Sequence, residues 1–256
     1  MVKRSHSNIR VKWGVCTLLC ALAAGLCVPC GAIAPSTVLK RVEERWGQLE
    51  RLQVDLWQSV ENLNWEDTRH YAGALYIQYG EQLRLDYQLM NAGALRSATE
   101  APAWIQSASF SPDDIFRADR DYLWHLDRRA QIVTRQYLSQ SGLPPLIRML
   151  AGAQQFQSEQ FREEYDIRPV EEEDLYGQPT YQIAFRPKGG QEQIQPYYWL
   201  WVHQETYLPV RLQVQSRDES IQVDFFHLRT DDPLPENIFD LRVPQDIQFI
   251  DRTLDL

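Results

Sequence analysis

The chain has 256 residues, is 44% hydrophobic, 24% charged and 11% aromatic, and carries a formal net charge of −9. Eight Trp, twelve Tyr and nine Phe are more than a solvated disordered chain holds, and no heptad or repeat period is present, so disorder, coiled coils and solenoids are excluded. An acidic chain lacks the Lys and Arg excess that displaces counterions from phosphates, which argues against nucleic acid as a partner.

The first 34 residues have the three parts of a secretory leader. Lys3, Arg4, Arg10 and Lys12 form a positive region without acids, an apolar run extends from Val15 to Val28, and small residues end at Ala32-Ile33-Ala34. The apolar run is shorter than the about 20 residues of a membrane span; an uncleaved anchor is the alternative reading. Cleavage after Ala34 leaves Pro35 first, so cleavage after Ala32 stays open. Cys27 follows Leu26 and Cys30 follows Pro29, and neither fits a lipidation site. The expected organisation is a signal peptide over residues 1–34 and one domain over residues 35–256. Loss of the four leader cations leaves 22 basic against 35 acidic residues, a net charge of −13. All four Cys (16, 20, 27 and 30) leave with the leader, which excludes disulfides, thiol nucleophiles and Cys-based zinc sites from the exported part.

Ser36-Thr37 is expected to cap a helix through about Leu49, with Val38, Val42, Trp46 and Leu49 at helical spacing. The period then becomes two. Leu52, Val54 and Leu56 alternate with polar residues, and after a turn at 62–67 so do Tyr71, Gly73, Leu75, Ile77 and Tyr79. Gly80-Glu81 reads as a tight turn into a returning strand of Leu83, Leu85, Tyr87 and Leu89. Residues 91–113 read as a long loop or a hairpin tip. Ile115–Ala118 and Tyr122–Asp127 form the next expected hairpin, followed by a strand over 131–137. Pro144-Pro145 opens a helical stretch ending at Gly152, and a second helical segment runs through Phe156, Phe161 and Tyr165. Strands are then expected at Tyr181/Ile183/Phe185, Tyr197–Val202, Val210/Leu212/Val214, Ile221/Val223/Phe225 and Phe239/Leu241/Val243, with turns at Lys188-Gly189-Gly190 and Asp231-Asp232-Pro233. Ten or eleven antiparallel strands with few helices make one mainly-β domain.

The chemistry-bearing motifs point away from catalysis. His70, His125, His203 and His227 are scattered without metal-ligand spacing; no nucleophile elbow, phosphate loop or dinucleotide fingerprint occurs. Asp119 and Asp121 fit a hairpin turn, and Glu171–Asp174 a solvated loop. No enzyme activity, metal or cofactor is expected.

The strand series Leu52–Gln58, Gly73–Leu75, Leu83–Tyr87, Tyr122–Asp127, Gln131–Val133, Leu208–Arg211 and Phe239–Pro244 with Ile250-Asp251 resembles the LolA-like outer-membrane lipoprotein carriers over nearly the whole exported part. The resemblance implies a fold: a single-domain α+β, mainly-β protein, an unclosed antiparallel β-barrel covered by a helical lid. It also implies a function: a monomeric soluble periplasmic carrier that takes acylated lipoproteins from an inner-membrane transporter to an outer-membrane receptor. The chain departs from the family where an Arg-Pro pair would hold the lid, having Tyr79-Gly80 there, with Arg84 as a possible substitute. Two alternatives accompany this reading. One is a carrier of another lipid, such as a glycolipid. The other is a regulatory module like the stress-sensing anti-sigma-factor partners of the same fold, although the chain ends soon after Asp251, where those carry a further domain.

An acyl chain of about 16 carbons loses on the order of 10 kcal/mol if left bare in water. A carrier offsets this with an apolar interior. Strand and helix parity together with the resemblance assigns that lining to Leu75, Ile77, Tyr79, Leu83, Leu85, Tyr87, Trp124, Leu126, Ile147 and Leu150, with His125 and Asp127 facing the other way. The same rows would equally fill an ordinary core.

Overall fold

A computed structural model describes residues 33–65, 67–91, 98–138, 158–189 and 195–254. The leader, the helix expected after Pro144, and with it Ile147 and Leu150, lie outside the described residues. In chain order the elements are α1 (Pro35–Gly47), β1 (Arg51–Asn62), β2 (Asp67–Gln78), β3 (Gln82–Leu89), α2 (Ala101–Ile105), β4 (Asp114–Ala118), β5 (Tyr122–Asp127), β6 (Ile132–Tyr137), α3 (Ser158–Glu164), β7 (Tyr165–Ile167), β8 (Glu171–Leu175), β9 (Gln178–Pro187), β10 (Tyr197–His203), β11 (Pro209–Gln215), β12 (Glu219–Thr230) and β13 (Gln248–Asp251).

The strands form one 13-stranded sheet in the order β13-β6-β5-β4-β3-β2-β1-β12-β11-β10-β9-β7, with β8 also on β9. The two ends of that order do not pair, so the sheet is unclosed. All pairs are antiparallel except β13 with β6, which is parallel. β1 sits centrally, between its hairpin partner β2 and the far-off β12.

Local sequence explains the main elements. α1 starts at Pro35, whose missing N–H is no loss at the first helical position. The cap is Ala34 without a side-chain bond, in place of the expected Ser36-Thr37. Val38, Leu39, Val42 and Trp46 form its buried stripe, while Lys40 and Glu44 pair on the exposed side. Gly80, at φ 75°, makes the β2–β3 turn. Gly73 serves closeness: a Cβ there would lie 2.7 Å from Tyr87 Cδ1 and 2.8 Å from the Asp86 carbonyl oxygen.

Alternation divides the sheet into two faces. The face of Leu52, Val54 and Leu56, here the inner face, carries the main cluster, to which β1–β5, β7, β9–β12 and α1 contribute. The outer face carries three separate clusters. Trp57, Ala72 and Met90 lie under Ala101 of α2. Ile115, Leu126 and Val133 pack with Leu241 and Ile247. Leu175, Trp201 and Val210 form the third.

Three expected elements come out differently. Residues 98–105 of the expected loop form a short helical cover. The acidic run Glu171–Asp174 is strand β8, held by its ladder to β9 and by Glu173, which accepts from Trp201 Nε1 at 2.7 Å. Phe239, Leu241 and Val243 are not a strand; the closing strand is β13, further on, and Leu241 serves as outer-face packing.

Candidate functional site

The inner face is built from period-two rows in register. Leu52 faces Ile77, Ile77 faces Leu83, and Leu83 faces Ala118, which faces Leu123. The next row runs through Val54, Leu75, Leu85, Phe116 and His125. Six of the ten assigned lining residues therefore meet on one face: Leu75, Ile77, Tyr79, Leu83, Leu85 and Tyr87, all buried in the main cluster. Leu85 is 0% exposed. These side chains are packed against each other and against α1.

Trp124 and Leu126 are corrections. Register puts Leu126 opposite Ile115, and Ile115 opposite Asp86, which is the outer face. The residues of β5 on the inner face are Leu123, His125 and Asp127, with His125 stacked on Phe116 at a centroid distance of 4.2 Å. Both parities of Tyr122–Leu126 are apolar or aromatic, so alternation alone does not choose a face; the β4 register does.

Tyr87 donates from its hydroxyl to Gln58 Oε1 at 2.5 Å, and its ring tilts against Tyr71. Burial pushes the Tyr87 phenol well above its ordinary range. Gln58 shares the parity of Leu52, Val54 and Leu56 and so faces inward with them. α1 is anchored at its rim by Arg45, which donates to Thr230 Oγ1 at 3.0 Å, and by Arg41, whose guanidinium bonds the Tyr207 hydroxyl and lies over that ring.

Beside the packed region is a hollow of about 280 Å³ at the β2–β3 and β4–β5 turns, lined by Ile77, Leu83, Ala118 and Leu138 with Glu81 and Arg120 at its rim. That is below the roughly 300–1,000 Å³ of a small-molecule site. A second groove of about 670 Å³ lies between Gln78–Gln82 and the segment Pro233–Asp240, with Glu50, Arg51, Glu81 and Asp240 among its walls.

Arg84 does not reach α1. It stands on the outer face in a two-pronged pair with Asp86, at 2.7 and 3.0 Å, and donates to the Ile238 carbonyl at 2.8 Å. It fastens the C-terminal segment instead. Burial raises the Asp86 carboxyl above its usual range while the Arg84 contact pulls it back down. No three His, Cys, Asp or Glu side chains converge on a metal position among the described residues.

Residues 111–243 match the MucB/RseB N-terminal domain. The chain belongs to that family. Solved structures that align with the chain include an uncharacterized conserved protein from Thermus thermophilus, at 13% identity and a TM-score of 0.49, covering 85% of this chain and 98% of that one. A LolA superfamily protein from Nitrosomonas europaea aligns at 14% identity and a TM-score of 0.36, covering 82% and 99% of the two chains. The Pseudomonas aeruginosa MucA/MucB complex aligns at 14% identity and a TM-score of 0.45, over 81% of this chain and 60% of that one. No curated protein matches the chain significantly.

Proposed function

We propose that the chain is an exported, non-enzymatic binding module of the periplasm, which takes acyl chains of lipoproteins or lipids against the inner face of its sheet. The observation that supports this reading is the large apolar cluster on the inner face of an unclosed sheet, to which α1 adds the buried side chains of one of its faces. Energetics support an exchange. Four buried side chains of α1 represent about 6–12 kcal/mol of gross apolar burial at about 1.5–3 kcal/mol each. An acyl chain of about 16 carbons is worth a similar amount. Replacement of one cover by the other is therefore near balance, with the 280 Å³ hollow at Ile77 and Leu83 as its starting point.

The sorting role, from an inner-membrane transporter to an outer-membrane receptor, follows the carrier resemblance. Membership of the MucB/RseB family favours a second reading, in which the bound lipid governs contact with a protein partner. Native mass spectrometry of the protein isolated from the periplasm of a Gram-negative host tests both. A co-purifying triacylated lipoprotein supports the carrier. A free lipid together with a protein partner supports the sensor. Leu83→Trp, which fills the hollow, is expected to reduce the bound lipid several-fold while the protein stays folded. Protein isolated without any lipid, from wild type and variant alike, overturns the acyl-binding reading.

A further inference from the structure

The outer face between β10 and β2 takes no part in the inner-face site, and its side chains form a pattern of their own. One row across the strands is Trp199, Gln213, Gln222, Ser59 and His70. The neighbouring row is Tyr197, Gln215, Ser220, Glu61 and Thr68. In a chain that is 24% charged, these ten solvent-side positions hold one carboxylate, Glu61, and otherwise amides, hydroxyls, an imidazole and two large rings.

The rings frame the amides. Tyr197 and Trp199 stack at 6.0 Å and 19° on one side, and Trp57 and His70 stack at 5.1 Å and 19° on the other. Between them the surface sinks into a hollow of about 160 Å³ lined by Ser59, Glu61, Thr68, Gln213, Ser220 and Gln222. Gln222 donates to Asp224 Oδ2 at 2.9 Å and Ser59 bonds His70 Nδ1 at 3.0 Å, so two of these groups are held in place. Among the described residues, the side chains of Gln213, Gln215, Ser220 and Thr68 have no hydrogen-bond partner in the protein.

Ligand chemistry follows from that composition. A polyanion finds no Arg or Lys in the two rows and meets Glu61. An apolar ligand would leave the amides and hydroxyls desolvated and unpaired. A sugar ring suits both parts: its C–H face lies flat on Tyr197 and Trp199, and its hydroxyls donate to and accept from Gln and Ser, which offer both functions. We propose that this face binds a neutral oligosaccharide lying across the strands from β10 to β1, roughly 14 Å at about 4.8 Å per strand. The site is independent of the acyl-binding reading, being on the opposite face.

Saturation-transfer NMR on the exported protein with cellohexaose and with chitohexaose as probes tests the assignment. Saturable binding of at least one is expected. Trp199→Ala is expected to weaken it about tenfold, the scale of a stacking contact near 1.4 kcal/mol, and Gln213→Ala about threefold. Gln213 is a half-buried surface amide, so its variant keeps the readout available if Trp199→Ala disturbs the neighbouring Trp201 cluster. Absence of binding by both probes, or binding undiminished in both variants, overturns the proposal.

Discussion

The two faces of the sheet use the same strands and are held by different forces. On the inner face, apolar rows merge into one cluster, into which Tyr87 and Gln58 bring a polar link. On the outer face the clusters are small, and charged pairs stand between them. Arg211 pairs with Asp224 at 2.5 Å, Arg84 pairs with Asp86, and Asp55 meets His227 at 3.1 Å and Gln106 at 3.2 Å. Each of these ties down a separate piece: Arg211 also donates to Tyr176 beside β8, Arg84 holds residues 238–240, and Gln106 holds the end of α2. The inner face therefore answers to volume and the outer face to charge.

The largest expected effect tests the outer half of that contrast. Asp224 is 0% exposed, and Arg211→Met leaves its carboxylate buried without a guanidinium. A loss of about 3–5 kcal/mol in urea unfolding is expected, and Asp224→Leu added to the same chain should restore most of it. A loss below about 1 kcal/mol would remove charge pairing as the organising force there. Volume is tested at Gly73. Gly73→Ala pushes a methyl into Tyr87, Leu56 and a backbone carbonyl, with an expected cost of about 1–3 kcal/mol. Thermal unfolding should show it as a Tm lowered by several degrees; an unchanged Tm would mean the inner packing is slack.

The smallest effect is a pH dependence. Hydrogen bonds from Arg135 and Thr253 hold the Asp251 carboxyl down to about 2, below its ordinary value near 3.8. A depressed acid contributes stability that is full above about pH 4 and is lost as pH falls toward 2. Amide exchange at residues 248–251 should quicken across that window, and Arg135→Gln should flatten the response.

The sequence made the inner face of β1–β3 legible because Leu52/Val54/Leu56 and Leu83/Leu85 have polar neighbours on the other parity. β5 was not legible in that way, since Tyr122, Leu123, Trp124 and Leu126 crowd both parities and only pairing with Phe116 and Ile115 fixes the face. Acidic composition concealed β8, whose stability comes from its ladder and from Trp201 on another strand. Phe239/Leu241/Val243 imitated a strand by alternation alone: Leu241 packs on the outer face while Val243 stays exposed, and no ladder joins them. The outer-face sugar platform needed four registers to assemble residues from five strands, which no local pattern contains.

The central position of β1 has a consequence for synthesis. Its partner β12 begins only at Glu219, and the contact from Asp55 to His227 spans 172 positions. Until β12 has emerged, β1 offers one open edge in the middle of what will become the sheet, and closing such a distant pair is slow. The nascent protein is thus sticky for most of its synthesis, and its final assembly waits for β12.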